Sequence, residues 1–429
     1  MPSRRVVVVG TTSDYIDLIR RRHPGRVLFV TAPAERARAL EENPGEGEEI
    51  LSDLANTVMV VKALRGHMGR YSIVADGVAC FDCESLGLAA RVAEELGLPF
   101  PSASAVALSR NKFLSKITWQ NANVACPEAA IARSPSDAVR FLDRLGGSVI
   151  LKPLTGSGSE LVFKCARRGD CLAAYATITK QLSESKDNAM HMPEQEGCGS
   201  FDPLRDIVVE EFIPGQEYSC DFYIDGRHLE VIRTAKKIPA AGYQVGTTAA
   251  YAVPARLSPQ ISLEAFQEQL YRAASVLGLQ RAICMVDFIV RKDRPHLLEL
   301  TPRPGGDCLP WLIRQSSGLD ILGLALDFAQ GLEISLPAAQ DWDALVGLRL
   351  FAPDAGVVRE LDSRLLHQDP RVREVLIKCR AGHRVLLPPK DYDSQLLGHL
   401  IFKPSETIPL EEECAALASK LIVKMEPQP

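Results

Sequence analysis

The stretch from Cys284 to Gly306 carries two acids, Asp287 and Glu299, inside otherwise apolar runs (CMVDFIV and HLLEL), with the short turn Arg291 to Arg294 between them. Two apolar runs joined by a tight turn predict an antiparallel hairpin, which would set the two acids side by side on one face. Bare like charges repel at that separation, and carboxylates within apolar strands need partners. A divalent cation removes the repulsion, and hard oxygen ligands with phosphate completing the shell are what magnesium prefers. Without such a cation the two acids read as exposed strand residues.

Two further segments offer complementary chemistry. Val149 to Pro153 is a strand ending in Lys152-Pro153, followed by the small-residue loop Thr155-Gly156-Ser157-Gly158-Ser159. Such a loop can bring several backbone N–H groups to phosphate oxygens while the lysine supplies a compact positive charge. No Gly-Lys-Ser/Thr follows, so it is not a Walker loop, and an exposed hairpin tip is the plain alternative. Asp206 to Tyr218 ends a strand in Glu210 and Glu211 and runs through Phe212, Ile213 and the Pro214-Gly215 turn to Glu217. Backbone groups there suit an adenine edge and Glu217 suits ribose hydroxyls, although acids at a strand end are otherwise simply solvated.

The elements that must position these residues follow from pattern. Val6 to Val9, Val27 to Thr31 and Ser72 to Ala75 are short strands alternating with helices such as Glu84 to Leu96, which predicts an amino-terminal parallel α/β domain. Gly10 follows the first strand, but GTTSDY lacks the remaining glycines of a dinucleotide fingerprint. A helix over Ser109 to Gln120 opens the central region, where strands at Ile207 to Phe212, Tyr218 to Ile224 and His228 to Thr234 precede a Gly/Thr-rich loop from Ala240 to Ala250. The polar stretch Ser183 to Arg205 reads as an insertion, and Gly347 to Phe351, Val372 to Lys378 and Leu397 to Phe402 as later strands. The fold class is α/β, with an α+β centre.

With 49 Lys+Arg against 54 Asp+Glu, the formal charge of -5 leaves no basic surplus for gripping nucleic acid, so any anion is bound locally. No apolar run approaches the ~20 residues that span a bilayer, and the four valines Val6 to Val9 after MPSRR read as a strand, not a signal peptide. Scattered cysteines suit reduced thiols in a cytoplasm. Cys80 and Cys83 stand too alone to hold zinc.

In order, Asn111-Lys112, Lys152 with its Gly-Ser loop, Glu210 to Glu217, Asp287 and Glu299-Leu-Thr301-Pro-Arg303-Pro-Gly305-Gly306 resemble the ATP-grasp superfamily over residues of about 100 to 335. The closer likeness is to carboxylate–amine ligases, including L-amino acid ligases. The resemblance implies an ATP-grasp fold with an amino-terminal domain (1–100), a two-lobed ATP-binding region (101–335, lid lobe at about 125–212) and a carboxy-terminal subdomain (336–429). The implied activity is carboxylate activation as an acyl phosphate and coupling to an amine, with ATP and Mg2+, or Mn2+ in its place. The alternatives are a bicarbonate-using carboxylase or carbamoyl phosphate synthetase-like enzyme, and an ATP-binding regulatory protein without turnover. Small-molecule carboxylates and amines are the expected partners, with a homodimer as the default assembly.

By the same resemblance, Lys112, Lys152 and the lid loop Gly156, Ser157, Gly158 and Ser159 hold ATP phosphates. Glu210, Glu211, Phe212 and Ile213 line the adenine edge, and Glu217 binds ribose. Asp287 and Glu299 ligate magnesium. Arg303 faces the reacting carboxylate and phosphoryl group, with Gly305 and Gly306 beside the substrate. Lys236 is the residue favoured to reach the γ-phosphate, from a group that includes Arg233 and Lys237, and the loop Gly242 to Thr248 covers the acceptor. His191 and His228 read as ordinary polar residues. Two positions depart from the family: Thr301, a candidate metal ligand through its hydroxyl or a water, stands where Asn usually reaches a second metal, and Asn111 replaces a frequent Asp.

Overall fold

The computed structural model describes residues 3–184, 189–191 and 201–426, so much of the polar stretch 183–205 lies outside the described residues. The apolar run Val6 to Val9 is fully buried at the centre of a four-stranded parallel sheet, between the strands Val27–Thr31 and Ile73–Ala79, with Glu49–Leu51 at the edge. Gly10, which ends the first strand at φ +65°, has no room for a Cβ because the Asp82–Ser85 turn packs on it. Its requirement for glycine is therefore steric contact with protein, not the approach of a dinucleotide.

The middle of the chain builds two antiparallel sheets. A four-stranded sheet in the order Ala129–Ala132, Ile207–Glu211, Val149–Pro153, Phe163–Cys165 is backed by the helices Pro135–Leu145 and Arg168–Glu184, which bury Phe141, Leu142, Ile178 and Leu182 against it. The second sheet has eight strands: Arg294–Thr301, Arg281–Arg291, Gln216–Asp225, His228–Pro239, Thr248–Val253, Leu345–Phe351, Leu396–Phe402 and Val372–Ile377. Its last three strands come from beyond residue 336. The carboxy-terminal region therefore continues the central sheet by hydrogen bonding and adds a separate three-stranded sheet. The expected loop over Ala240 to Ala250 is shorter than read, because alternation in Thr248–Val253 already forms a strand paired on both sides.

Between the parallel sheet and the central sheet lie the helices Leu309–Ser317 and Ile321–Ala329, whose apolar side chains join both layers in one core. The loop that leads into them is fixed from below by a fully buried ion pair. Arg233 donates to Asp221 Oδ2 at 2.9 Å and to Ser219 Oγ at 2.6 Å, and Asp221 Oδ1 accepts the backbone N–H of Gly305 at 3.0 Å. A Cβ at Gly305 would collide with the Arg233 guanidinium, so only glycine lets the loop reach the pair. Arg233 is thus committed to structure and does not reach toward phosphate.

Removing one member of a pair with no exposure leaves an uncompensated buried charge. Asp221→Asn should lower stability by about 3–5 kcal/mol in urea denaturation, whereas a loss within the ~0.5 kcal/mol typical of surface substitutions would contradict this account.

Candidate active site

The helix Lys112–Asn121 starts where Asn111 caps it: the Asn111 side chain accepts from the N–H groups of Phe113 (3.1 Å) and Leu114 (2.9 Å). Asn caps a helix as well as Asp does, so the departure from the family pattern costs nothing here. Lys112 and Lys116, one turn apart, lie on one face of this helix: Lys112 reaches the crevice between the two antiparallel sheets, and Lys116 is fully buried against Leu298 O and Glu210. Lys112 Nζ donates to Gly156 O at 2.6 Å and lies 3.8 Å from Glu299. Burial pulls the Lys112 pKa below the ordinary lysine value, against the attraction of Glu299.

The late hairpin turns through Lys292 and Asp293, both at positive φ (49° and 55°), the geometry of a two-residue type I′ turn. Counted from that turn, Phe288 pairs with Leu297, and an unbroken ladder would bring Leu298 opposite Asp287. A β-bulge at this point skips Leu298, so that Asp287 stands opposite Glu299. Without the bulge Glu299 would face the other side of the sheet. The two acids thus do lie side by side, but the bulge, not the turn alone, brings them there.

A cavity of about 450 Å³ runs between the sheets. Its walls include Lys112, Lys152, Gly156, Ser157, Ser159, Glu210, Glu211, Phe212, Ile213, Glu217, Asp287 and Glu299, all anticipated from sequence. Ile150, Val162, Phe212, Ile213, Ile289 and Leu298 form its apolar part. Gly158, at φ +63° in the same loop, is not on the wall. The loop is tied across the cavity: Ser159 Oγ donates to Gly246 O at 2.7 Å, and Gln244 from that second loop accepts from Tyr392 at 2.8 Å.

The structure places Lys237, not Lys236, at the cavity. Strand alternation turns Lys236 to the opposite face, while Lys237 bonds Glu217 and Asp287, the latter at 2.9 Å. Burial works against the Lys237 ammonium, but Asp287 and Glu217 outweigh it and hold its pKa well above the ordinary value. Burial in turn lifts the Asp287 pKa to about 6 despite Lys237. Burial also raises Glu299, but Lys112, Lys152 and Lys237 together bring it below the usual carboxylate range.

Glu210 turns inward between two lysines, to Lys152 at 2.7 Å and Lys116 at 3.3 Å, so its carboxylate serves as their counter-ion more than as a lining for a base. Burial raises its pKa, yet the two lysines hold it below the ordinary value. Lys116 itself, fully buried, was missed from sequence; its only signal was the one-turn spacing from Lys112. His191 also sits closer to the site than expected, bonded to Thr155 Oγ1 at 3.2 Å behind the Gly-Ser loop, and burial, Lys112 and Arg110 push its pKa down to about 4. His228 pairs with Tyr223 at 2.9 Å, away from the cavity.

Thr301, Arg303, Gly305 and Gly306 are not on the cavity wall. Thr301 pairs with Met285, two residues along the same face from Glu299. Arg303 lies beyond it, with Nε and Nη2 both on Cys83 Sγ (3.2 and 3.0 Å) and Nη1 on Pro304 O (2.7 Å). Gly306 lies between this guanidinium and the Tyr15 hydroxyl.

The donor set fits magnesium. Asp287 Oδ1 is buried without a hydrogen-bond partner, beside Glu299. Among the described residues no group of three or more His, Cys, Asp or Glu could hold a metal ion.

Residues 145–310 match the ATP-grasp domain family. D-alanine–D-alanine ligase of Ralstonia nicotianae is 26% identical over 263 residues, 58% of this chain and 72% of that enzyme. Human carnosine synthase 1 is 25% identical over 270 residues, 61% of this chain but 31% of that longer protein. Among solved structures, L-amino acid ligase from Bacillus licheniformis superposes with a TM-score of 0.76 at 19% identity, covering 99% of this chain and 100% of that one. The biotin carboxylase of Campylobacter jejuni superposes with a TM-score of 0.65 at 16% identity, covering 98% of this chain and 92% of that one. The cleft between two antiparallel sheets, its paired lysines and carboxylates and these matches lead to one conclusion: residues 145–310 are similar to the ATP-grasp domain family, and the chain as a whole has the fold of the L-amino acid ligase.

Proposed function

We propose that this chain is an ATP-dependent carboxylate–amine ligase acting on amino acids or small peptides. The observation that carries the reading is the single cavity in which Lys112, Lys152 and Lys237 face Glu217, Asp287 and Glu299, with an apolar section of the size and character of a nucleobase pocket beside them. Relatives that join amino acids, a D-alanine–D-alanine ligase and an L-amino acid ligase, support the substrate class. A cytoplasmic location, where ATP is supplied, follows from this activity.

In this reading Lys112 and Lys152 hold triphosphate oxygens, and the Gly156 to Ser159 loop lies over them, held down by the Ser159–Gly246 bond. Asp287 and Glu299 are the residues that would hold magnesium, which when bound neutralises charge on the phosphates. A carboxylate oxygen attacks the γ-phosphorus, the bond to the β-phosphate oxygen breaks, and ADP leaves. The amine then attacks the acyl carbon and expels phosphate, its proton passing to solvent. The protein supplies position and fixed charge, not a nucleophile, which is why lysines, carboxylates and glycines dominate the site. Arg303, in the loop after Glu299, presents the N–H groups not used by Cys83 and Pro304 to the carboxylate.

Phosphate release measured over pairs of amino acids and small carboxylic acids should exceed release with bicarbonate. Release with bicarbonate alone would favour a carboxylase, and tight MgATP binding without ADP under every pairing would favour a regulatory protein. With an active pair, Glu299→Gln and Arg303→Ala should each lower turnover by about 100-fold or more while melting stays near wild type. Full activity in either variant refutes the assignment. Lys237→Met should lower turnover by a similar factor of about 100, whereas Lys236→Met should change it by less than about threefold; the reverse ranking would restore Lys236 to the site.

A further inference from the structure

Lys116 is used by none of the steps above, yet no exposure remains on its side chain and its ammonium joins three elements of the site. From the helix Lys112–Asn121 it donates to Leu298 O and stands 3.3 Å from Glu210 Oε1, with its ammonium 5.4 Å from the centre of the Trp119 ring. Leu298 is the residue skipped by the β-bulge, so its carbonyl belongs to the distortion that brings Glu299 opposite Asp287. Glu210, held by its other oxygen to Lys152 at 2.7 Å, stands on the neighbouring strand of the four-stranded sheet. One buried cation thus spans the helix, the bulge of the carboxylate-bearing hairpin and the counter-ion of a phosphate-facing lysine.

We propose that Lys116 is a positioning residue for nucleotide binding: it shares the Glu210 carboxylate so that Lys152 keeps charge and N–H groups for phosphate, and it pins the bulge that sets Glu299 beside Asp287. The inference rests on the ligase reading only for the identity of the anion. If Lys116 loses its charge, Glu210 has one cation left. The carboxylate then draws Lys152 fully into a closed pair, and a neutral pair attracts phosphate weakly. A side chain that mattered only by filling space would act differently, since its loss could not be corrected by changing the charge on Glu210.

The test is titration calorimetry of a non-hydrolysable ATP analogue with magnesium, which needs no turnover. Lys116→Met should weaken binding by about tenfold or more, and Lys116→Met/Glu210→Gln, which frees Lys152, should recover a large part of that loss, as coupled charges do in a double-mutant cycle. Lys116→Arg, which keeps the charge, should stay within about threefold of wild type. If Lys116→Met does not fold, Lys116→Gln, which retains a hydrogen bond to Leu298 O without the charge, is expected to show the same weakening. Wild-type affinity in a folded neutral variant, or a double variant no tighter than the single, overturns the proposal. Failure of the wild-type chain to bind the analogue at all would instead sink the ligase reading and this inference with it.

Discussion

The crevice works because its buried charges compensate one another before any ligand arrives. Lys112 faces Glu299, Lys116 and Lys152 share Glu210, and Lys237 bridges Glu217 and Asp287. Each of these ions is costly to remove from water alone, and each is held by a partner of opposite sign from a different element. The helix Lys112–Asn121, the strand Ile207–Glu211 and the hairpin of residues 281–301 therefore cannot shift independently, and the two sheets are kept at the separation that forms the cavity.

That compensation also governs what can enter. Four lysines are matched by four carboxylates, and Glu160 and Glu211 also line the cavity, so the cleft holds no cationic surplus and a bare triphosphate would add further uncompensated negative charge. In the proposed function the nucleotide would bring cations of its own, and the buried, unpartnered Asp287 Oδ1 beside Glu299 would receive them. The elevated Asp287 pKa, about 6, expresses the same fact: burial beside Glu299 and Glu217 makes its charge expensive until a cation offsets it. In that reading, metal requirement and phosphate binding would be two consequences of one charge balance.

How much of this could be read from residues alone depended on range. Lys152 with its glycine-serine loop, and Glu210 through Glu217, are legible because the residues that act together are contiguous. The acids of the hairpin were legible in identity, while the bulge that brings them together was not, since a skipped Leu298 in HLLEL leaves no mark in composition. Lys236 and Lys237 show the same limit, because a one-residue register decides which faces the cavity and Lys-Lys is silent about it. Lys116 was hidden for a different reason: a lysine one turn from another looks like a solvated helix face until tertiary packing buries it. The helix Ile321–Ala329, buried on nearly every side, has no polar face and so no helical period to find. The extension of the central sheet by strands beyond residue 336 is likewise a tertiary fact that strand-like stretches cannot announce.

The site is also built unequally at its two ends. At the nucleotide end, cations and carboxylates from adjoining elements interlock, and most of them lie in recognisable order. At the opposite end, the loop from Thr301 to Asp307 is anchored on the central sheet through Gly305 and Asp221 and through Asp307 and Arg349, and it also touches the amino-terminal region: Cys83 Sγ meets Arg303, 220 positions away, and the Tyr15 hydroxyl donates to Asp307 O, 292 positions away. The placement of Arg303 therefore depends on how the parallel sheet sits against the central one, and a small repacking of that contact would move the arginine without disturbing Lys112, Lys152 and Lys237. An architecture of this kind can keep one phosphoryl-transfer chemistry fixed while the carboxylate it activates changes, because the two are positioned by different parts of the fold.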